Sequence, residues 1–476
     1  MELSKDLQAR QEARDLAAAA EKAQQQLSRM DQRQLDAIVE AVAKAFSQEA
    51  VMLAEMAVSE TGFGNVEDKT EKNRFASRKV AQTVADMKTV GILREDAKSR
   101  TMEIGVPVGV IAAIVPSTNP TSTVCYKAII ALKAGNAIVF SPHPKAIACT
   151  RKAAQIVAAA AESAGAPKGS VGCLSIPSLD GCQELMKARQ TRLILATGGP
   201  GMVRAAYSSG KPAIGVGAGN GPAYIHHSAD VGQALACIAR SKTFDYGTVC
   251  ASEQSIVVEK RMEEAVMAEG KRQGFYFMTE QEAGMLAKLL FRPTGALNPD
   301  IVGKAAPVLA GKAGFSVPAG TKVLVARETQ AGPTRPYSME KLCPVLAFFV
   351  MENEDAVLSK CVEVLTHEGS GHTFAIHAQD PQVIRRFALE IPVSRFLVNT
   401  PAALGGIGAT TNLFPALTLG CGAVGGSASS NNISPLDLIN IRRVAWGMEE
   451  ARKVPEEAVD AALVEMLTKK IMERLG

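Results

Sequence analysis

Leu35, Ile38, Val39, Val42 and Phe46 recur at intervals of three and four, the period of a helix with one apolar face. The same texture, Ala, Gln, Glu and Lys broken by regularly spaced apolar residues, runs from 4 to 90 and predicts a helical opening. From 106 the pattern changes to short apolar runs alternating with longer helix-like stretches. VGVIAAIV (108–115), AIVF (137–140), VGCLSI (171–176) and RLILA (192–196) predict strands. TSTVCYKAIIALKAG (121–135), KAIACTRKAAQIVAAAAESAG (145–165) and GMVRAAYSSG (201–210) predict the helices between them. Repeated strand–helix–strand units imply a doubly wound parallel sheet. A second alternating block runs through SIVVE (255–259), TKVLVAR (321–327), PVLAFFV (344–350), HTFAIHA (372–378) and SRFLVNT (394–400). The expected fold class is therefore α/β, with two doubly wound domains. GCGAVGGSASSNN (420–432) reads as a loop leading to the strand-like INIRRVAW (439–446), and a charged helix is expected over 453–475. No internal repeat of fixed period is visible.

Composition sharpens this picture in three ways. A chain of 476 residues with 47% hydrophobic and 21% charged content exceeds what one core usually serves, so two or more domains are expected. A net charge of +4, spread over 52 basic and 48 acidic residues without a basic tract, gives no footprint for nucleic acid or an anionic membrane. The nine cysteines are scattered and contain no C-x-x-C pair, which argues against a disulfide framework and a zinc ribbon and fits a reducing, cytoplasmic setting. The first residues are charged where a secretory leader needs its apolar core, and VGVIAAIV is too short to span a bilayer.

Candidate chemistry begins with KTFDYGTVCASEQSIVVE (242–259), in which Cys250 sits at the entrance to a strand, after a glycine-containing polar run. A free cysteine is most often a small buried hydrophobe, so position alone leaves its role open. TGGPGMVRAA (197–206) follows a strand and opens a helix, the arrangement in which free N–H groups hold an anionic or sugar oxygen; tight packing of strands would ask for the same glycines. GVGAGNGP (215–222) opens no helix and lacks the acidic partner of a dinucleotide fingerprint. His226 and His227 are adjacent, and His367, His372 and His377 lie five apart, but no zinc spacing appears, so no metal site is expected. His372 and His377 point to opposite faces of one strand.

Five long ordered blocks carry a resemblance. IVPSTNPTSTVCYKAIIALKAGNAIVFSPHPKA (114–146), LATGGPGMVRAAYSSGKPAIGVGAGNGP (195–222), SKTFDYGTVCASEQS (241–255), EKLCPVLA (340–347) and NTPAALGGIG…LTLGCG (399–422) resemble the CoA-acylating branch of the aldehyde dehydrogenase superfamily. The similarity runs over about residues 5–447 and covers the aldehyde dehydrogenase half of bifunctional aldehyde–alcohol dehydrogenases; an iron-dependent alcohol dehydrogenase half is not expected within this chain. The resemblance implies that Cys250 is the nucleophile and that Asn119 helps the Cys250 backbone N–H bind the oxyanion, although a residue before Pro120 also suits a plain turn. It places Glu340 near the nicotinamide ribose, and Ile114, Val115, Pro116, Ser117, Thr118 and Asn119, with Gly199, Gly217 and Leu419, around the cofactor. His372 resembles a histidine common in this branch, able to assist coenzyme A, against the alternative of a structural strand histidine.

The same resemblance implies residues 1–240 as a cofactor-binding domain, 241–420 as the catalytic domain, and 421–476 as a return to the first with an oligomerisation strand. Association as a homodimer or homotetramer would use 439–446 and the region near 98–106. The cofactor is NAD or NADP: hydrolytic relatives carry K-P-S-E where this chain reads S-P-H-P (141–144), so no carboxylate excludes a 2′-phosphate, and the bifunctional enzymes that carry S-P-H-P favour NAD.

One difference points to coenzyme A as cosubstrate. Hydrolytic aldehyde dehydrogenases carry a glutamate in a segment like E-L-G-G-K-S-P, and this chain, aligned on Pro222, has Val216 in its place. Valine cannot activate water. The resemblance then implies oxidation of a short aldehyde to acyl-CoA, or the reverse reduction, in a cytoplasmic enzyme, with a protein-shelled compartment as an alternative location. A hydrolytic dehydrogenase and a catalytically silent scaffold of the same fold are the rival readings.

Overall fold

The computed structural model describes residues 4–176, 178–447 and 461–475. Its opening helix, Lys5–Leu27, turns a stripe of Ala9, Ala13, Ala17, Ala20, Ala23 and Leu27 inward. Such small side chains let a helix lie close to its neighbours, here the strand Ala137–Ser141 and the helix Leu179–Lys187. The next helix, Gln32–Gln48, buries the periodic set Leu35, Ile38, Val39, Val42 and Phe46, and Asp31 with Gln34 closes a reciprocal cap at its start.

Five parallel strands form the first sheet, in the spatial order Val171–Cys173, Ala137–Ser141, Val110–Ile114, Thr191–Thr197, Ala213–Val216. Its central strands are buried on both faces, which is why they read as unbroken apolar runs. The helix Pro120–Lys133 is buried at every position and starts with proline in its first turn, where the missing N–H costs nothing. Seven parallel strands form the second sheet: Phe275–Phe277, Val323–Arg327, Val345–Met351, Glu253–Glu259, Gly221–Ile225, Gly371–His377 and Val393–Val398. Separate apolar cores cover its two faces. Gly91–Asp96, Thr101–Pro107 and Ile439–Ala445 make a third, antiparallel sheet.

Thr101–Pro107 escapes the sequence pattern, and so do four shorter strands, Gly91–Asp96, Ala213–Val216, Gly221–Ile225 and Phe275–Phe277. Of these four, two lie in a glycine-rich stretch that reads as turn. The expected strand over 171–176 closes after Cys173. Because Gly221–Ile225 pairs within the seven-stranded sheet, the chain passes between sheets at 217–220, ahead of the expected boundary at 240. The helix expected over 453–475 is observed as Ala461–Leu475; residues 453–460 lie outside the described residues.

Candidate active site

Strand order fixes where a ligand can enter. The central strand Val110–Ile114 is followed on one side by Ala137–Ser141 and Val171–Cys173, after which the chain crosses to Thr191–Thr197 on the other. A doubly wound sheet opens a crevice at this reversal, beyond the carboxyl ends of the strands. Two cavities of about 500 and about 280 Å³ occupy it, sharing Pro116, His143, Thr197, Gly198, Gly199 and Pro200.

Of the residues expected at the site, Pro116, Ser117, Thr118, Asn119, Gly199, Gly217, Cys250, Glu340 and Leu419 line the larger cavity. Ile114 and Val115 line the smaller, with Pro116 and Gly199 common to both. Cys250 enters the larger cavity from the amino end of Glu253–Glu259 in the second sheet, so elements of the two parallel sheets meet there across the crevice. It is half-buried, whereas Cys125, Cys149, Cys182, Cys343, Cys361 and Cys421 are buried. Burial pushes the Cys250 thiol up to about 12; Glu340 and Cys421 add to the rise and Arg395 opposes it.

The turn before Cys250 is strained. Asp245 and Tyr246 both take left-handed backbone angles, with φ of 48° and 49°. Such a conformation costs a non-glycine residue about 1–2 kcal/mol and concentrates at functional sites. Asp245 is held there by its contacts. Its Oδ2 accepts from Lys69 Nζ at 2.8 Å, Lys72 Nζ at 2.6 Å and Thr248 Oγ1 at 2.7 Å, and its Oδ1 accepts from the Asn65 N–H at 2.9 Å. Burial pushes the Lys72 ammonium down to about 8, against the attraction of Asp245.

Asn119 occupies the cap position of the helix Pro120–Lys133 but makes no cap bond with its side chain. Its Oδ1 accepts from Lys72 Nζ at 2.6 Å instead. Its Nδ2 donates to the Thr248 carbonyl at 3.4 Å, two residues before Cys250. The side chain thus lines the larger cavity while it bonds to Lys72 and Thr248.

Among the described residues Glu340 is the one carboxylate lining the larger cavity, and its Oε1 accepts from the Gly219 N–H at 2.9 Å. Burial first and the neighbouring Glu368 second push its carboxyl up to about 8, which favours its protonated form. Val216 lines the same cavity at the end of its strand. Thr197 Oγ1, on the wall shared by both cavities, is buried without a partner among the described residues. A nucleotide cofactor fits these features: an unpaired hydroxyl, a glycine-lined turn at a helix start, and a smaller cavity walled by Ile114, Val115, Pro142 and Leu179.

His372 stands apart from the other expected residues. It is fully buried and lines neither cavity. Its Nδ1 pairs with Thr373 Oγ1 at 2.9 Å, and burial, reinforced by Arg395, holds the ring neutral, far below its ordinary range. A Cβ built on Gly219 would lie 3.2 Å from its Cε1, so the ring sits behind the Gly219 backbone rather than in the cavity. Elsewhere, His226, His227 and Glu259 bring three ligating atoms within 4.8 Å of one another. Arg261 already supplies the positive charge there, donating to both Glu259 oxygens at 2.8 and 3.0 Å.

Lys69, Lys72 and Asp245 are absent from the sequence reading. Lys69 and Lys72 lie on the helix Val66–Arg74, whose buried positions are Lys69, Thr70, Lys72 and Asn73. A helix that buries its polar face inverts the pattern on which such readings rest; its one signal is a highly polar segment next to apolar helices.

The model of the aldehyde dehydrogenase family matches residues 5–273. The chain belongs to that family. It is 45% identical over 435 residues to a bifunctional aldehyde–alcohol dehydrogenase of Escherichia coli (strain K12), over 90% of this chain and 49% of the relative. The chain thus spans about half the length of that curated relative. Among solved structures, an acetylating aldehyde dehydrogenase from Geobacillus thermoglucosidasius superposes with a TM-score of 0.92 at 52% identity, over 94% of this chain and 99% of its own. A propionaldehyde dehydrogenase from Rhodopseudomonas palustris, solved with bound CoA and an acylated cysteine, superposes with a TM-score of 0.83 at 27% identity, over 91% and 97% of the two chains. The aldehyde dehydrogenase fold that the sequence blocks imply is thus borne out.

Proposed function

We propose that the chain is a CoA-acylating aldehyde dehydrogenase that converts a short aldehyde and coenzyme A to acyl-CoA with NAD or NADP, or runs the reverse reduction. The observation that carries this reading is Cys250, half-exposed in one cavity with Asn119, Glu340 and Val216 at the crevice between the two domains.

In this reading Cys250 Sγ gives up its proton to solvent water and bonds to the aldehyde carbon, and the carbonyl oxygen becomes an oxyanion. Asn119 Nδ2 and the Cys250 N–H are the donors that face it. A bound nicotinamide supplies one function, acceptance of the hydride lost from that carbon. Sγ then carries a thioester. Among the described residues that line the cavity, Glu340 is the only carboxylate that could serve water as a base, and burial with the neighbouring Glu368 favours its protonated form. Val216 offers nothing. The thioester therefore waits for a thiol, and attack by the CoA sulfur returns Cys250 as the leaving group. His372, behind the Gly219 backbone, supports the site through packing in this account.

No carboxylate lines the smaller cavity among the described residues, so none of these repels a 2′-phosphate, and both nicotinamide cofactors are accommodated; NAD is the first expectation. The acyl group is short. Association as a homodimer or homotetramer belongs to the same reading, supported by Ile92, Ile441 and Trp446, which lie exposed on or beside the antiparallel sheet.

The test is cofactor reduction by acetaldehyde with and without CoA, with thioester and free acid both measured. CoA-dependent acetyl-CoA formation supports the reading. Equal rates without CoA, yielding acetate, favour hydrolysis, and no reduction with any short aldehyde favours a silent scaffold.

A further inference from the structure

Lys72 reaches the cavity from the helix Val66–Arg74, a part of the chain far in sequence from both Asn119 and Cys250. It is 2% exposed, and its Nζ spends its three protons on Asn119 Oδ1 at 2.6 Å, Asp245 Oδ2 at 2.6 Å and Thr248 Oγ1 at 2.9 Å. These three partners are the oxyanion amide, the strained residue of the nucleophile turn, and the residue two before Cys250.

An ammonium donates and cannot accept. Whatever faces Lys72 Nζ must be an acceptor, so the amide of Asn119 is obliged to present its oxygen there and its NH₂ on the opposite side. That NH₂ has only long contacts, to Thr118 Oγ1 at 3.3 Å and the Thr248 carbonyl at 3.4 Å, and keeps donor capacity for a ligand. A flipped amide would set donor against donor at Lys72 and turn a carbonyl oxygen towards the developing oxyanion. The same ammonium also ties the cofactor-side Asn119 to the nucleophile turn. Lys69 repeats the link in parallel, donating to Asp245 Oδ2 at 2.8 Å and the Thr118 carbonyl at 2.8 Å. Gly64 is required for this packing, because a Cβ there would fall on the Asp245 carboxylate.

We propose that Lys72, anchored by Asp245, is the positioning residue that fixes the amide of Asn119 with its N–H towards the oxyanion and holds it in register with the Cys250 turn. The inference rests on the acylating reading for the role of Asn119, and adds to it a residue from the helical opening of the chain.

The test is a double-mutant cycle between Lys72→Met and Asn119→Ala, read as the single-turnover rate of NADH formation without CoA. Loss of one oxyanion donor typically costs ~10²–10³ in rate, and misorienting it should cost a large share of that, at least about tenfold. The expected results are a slow Lys72→Met with a dissociation constant for NAD within about twofold of the parent, and a double variant no slower than Asn119→Ala alone. Removing one member of a buried charge cluster can unfold a protein, so Lys69→Met/Lys72→Met/Asp245→Asn, which removes all three charges of the cluster, provides the same cycle if the single variant does not fold. Multiplicative loss in the double variant, or a Lys72→Met rate within twofold of the parent, would overturn the proposal. A parent enzyme that shows no burst with any short aldehyde would instead defeat the acylating reading on which it rests.

Discussion

The carbonyl oxygen of Cys250 lies against the Cα of Gly219, so closely that a Cβ on that glycine would come within 1.9 Å of it. The loop that carries Cys250 and the loop whose Gly219 N–H meets Glu340 are thus in backbone contact, with no room for a side chain between them. Gly219→Ala should displace the Cys250 loop and lower aldehyde oxidation by at least an order of magnitude. Gly284 is the matched control. It lies inside the helix Glu280–Leu290 with nothing within 4 Å of its Cβ position, and Gly284→Ala should leave activity unchanged and stabilise the fold by about 0.5–1 kcal/mol. Steady-state rates and melting temperatures of the two variants check both expectations.

Val216 is the residue that keeps water from clearing the thioester in this account. Val216→Glu should raise aldehyde oxidation in the absence of CoA, with free acid as the product. A well-placed general base gives ~10²–10⁴-fold, and an untuned graft into a buried position should give less. Acid release measured without CoA decides the matter, and an unchanged rate in a folded variant would count against the role given to this position.

Glu340 makes stability depend on pH in a defined direction. Its carboxyl rises from the ordinary 4.5 to about 8 on folding, so the folded chain holds a proton that the unfolded chain gives up between those values. The contribution of this site is complete below about pH 4.5 and is lost as pH rises through about 8. Glu340→Gln, which cannot ionise, should show a shallower fall in melting temperature than the parent between about pH 6 and about pH 9. Thermal melts of the cofactor-free proteins across that range provide the comparison; parallel curves would contradict the placement of the proton.

Assembly is tested by sedimentation. The outer strands of the antiparallel sheet carry exposed apolar residues, and such edges are normally covered. A dimer or tetramer at micromolar concentration is expected, and Ile441→Lys should shift it towards the monomer. A monomer of full activity would contradict this.

Much of the site was legible in the sequence because the residues involved cluster at strand ends. The runs around Val110–Ile114 and Thr191–Thr197 are apolar enough to read as buried parallel strands, and the loops after them supply Pro116 to Asn119 and Gly198 to Gly199. Cys250 stood out by its place at a strand entrance, and the resemblance made it a nucleophile. His372 was read through a likeness in the chain; only the packing around Gly219 reveals that its ring lies behind the cavity wall. Lys72 and Asp245 were illegible for a different reason. They meet across 173 residues of chain through buried charges, and neither helical periodicity nor local motif encodes such a pairing. The strands Ala213–Val216 and Gly221–Ile225 were hidden by glycines that also let Glu340 and Cys250 approach the backbone between them.

The central claim is that Cys250 forms a thioester that only a thiol clears. The direct measurement is rapid mixing of the enzyme with acetaldehyde and NAD in the absence of CoA, following NADH and the intact mass of the protein together. The account predicts roughly one equivalent of NADH per site, a stalled reaction, an added acetyl group mapped to Cys250, resumption on addition of CoA, and none of these in Cys250→Ala. Continuous NADH formation without CoA at the rate seen with it, and no acylated Cys250 in the stopped sample, would contradict it.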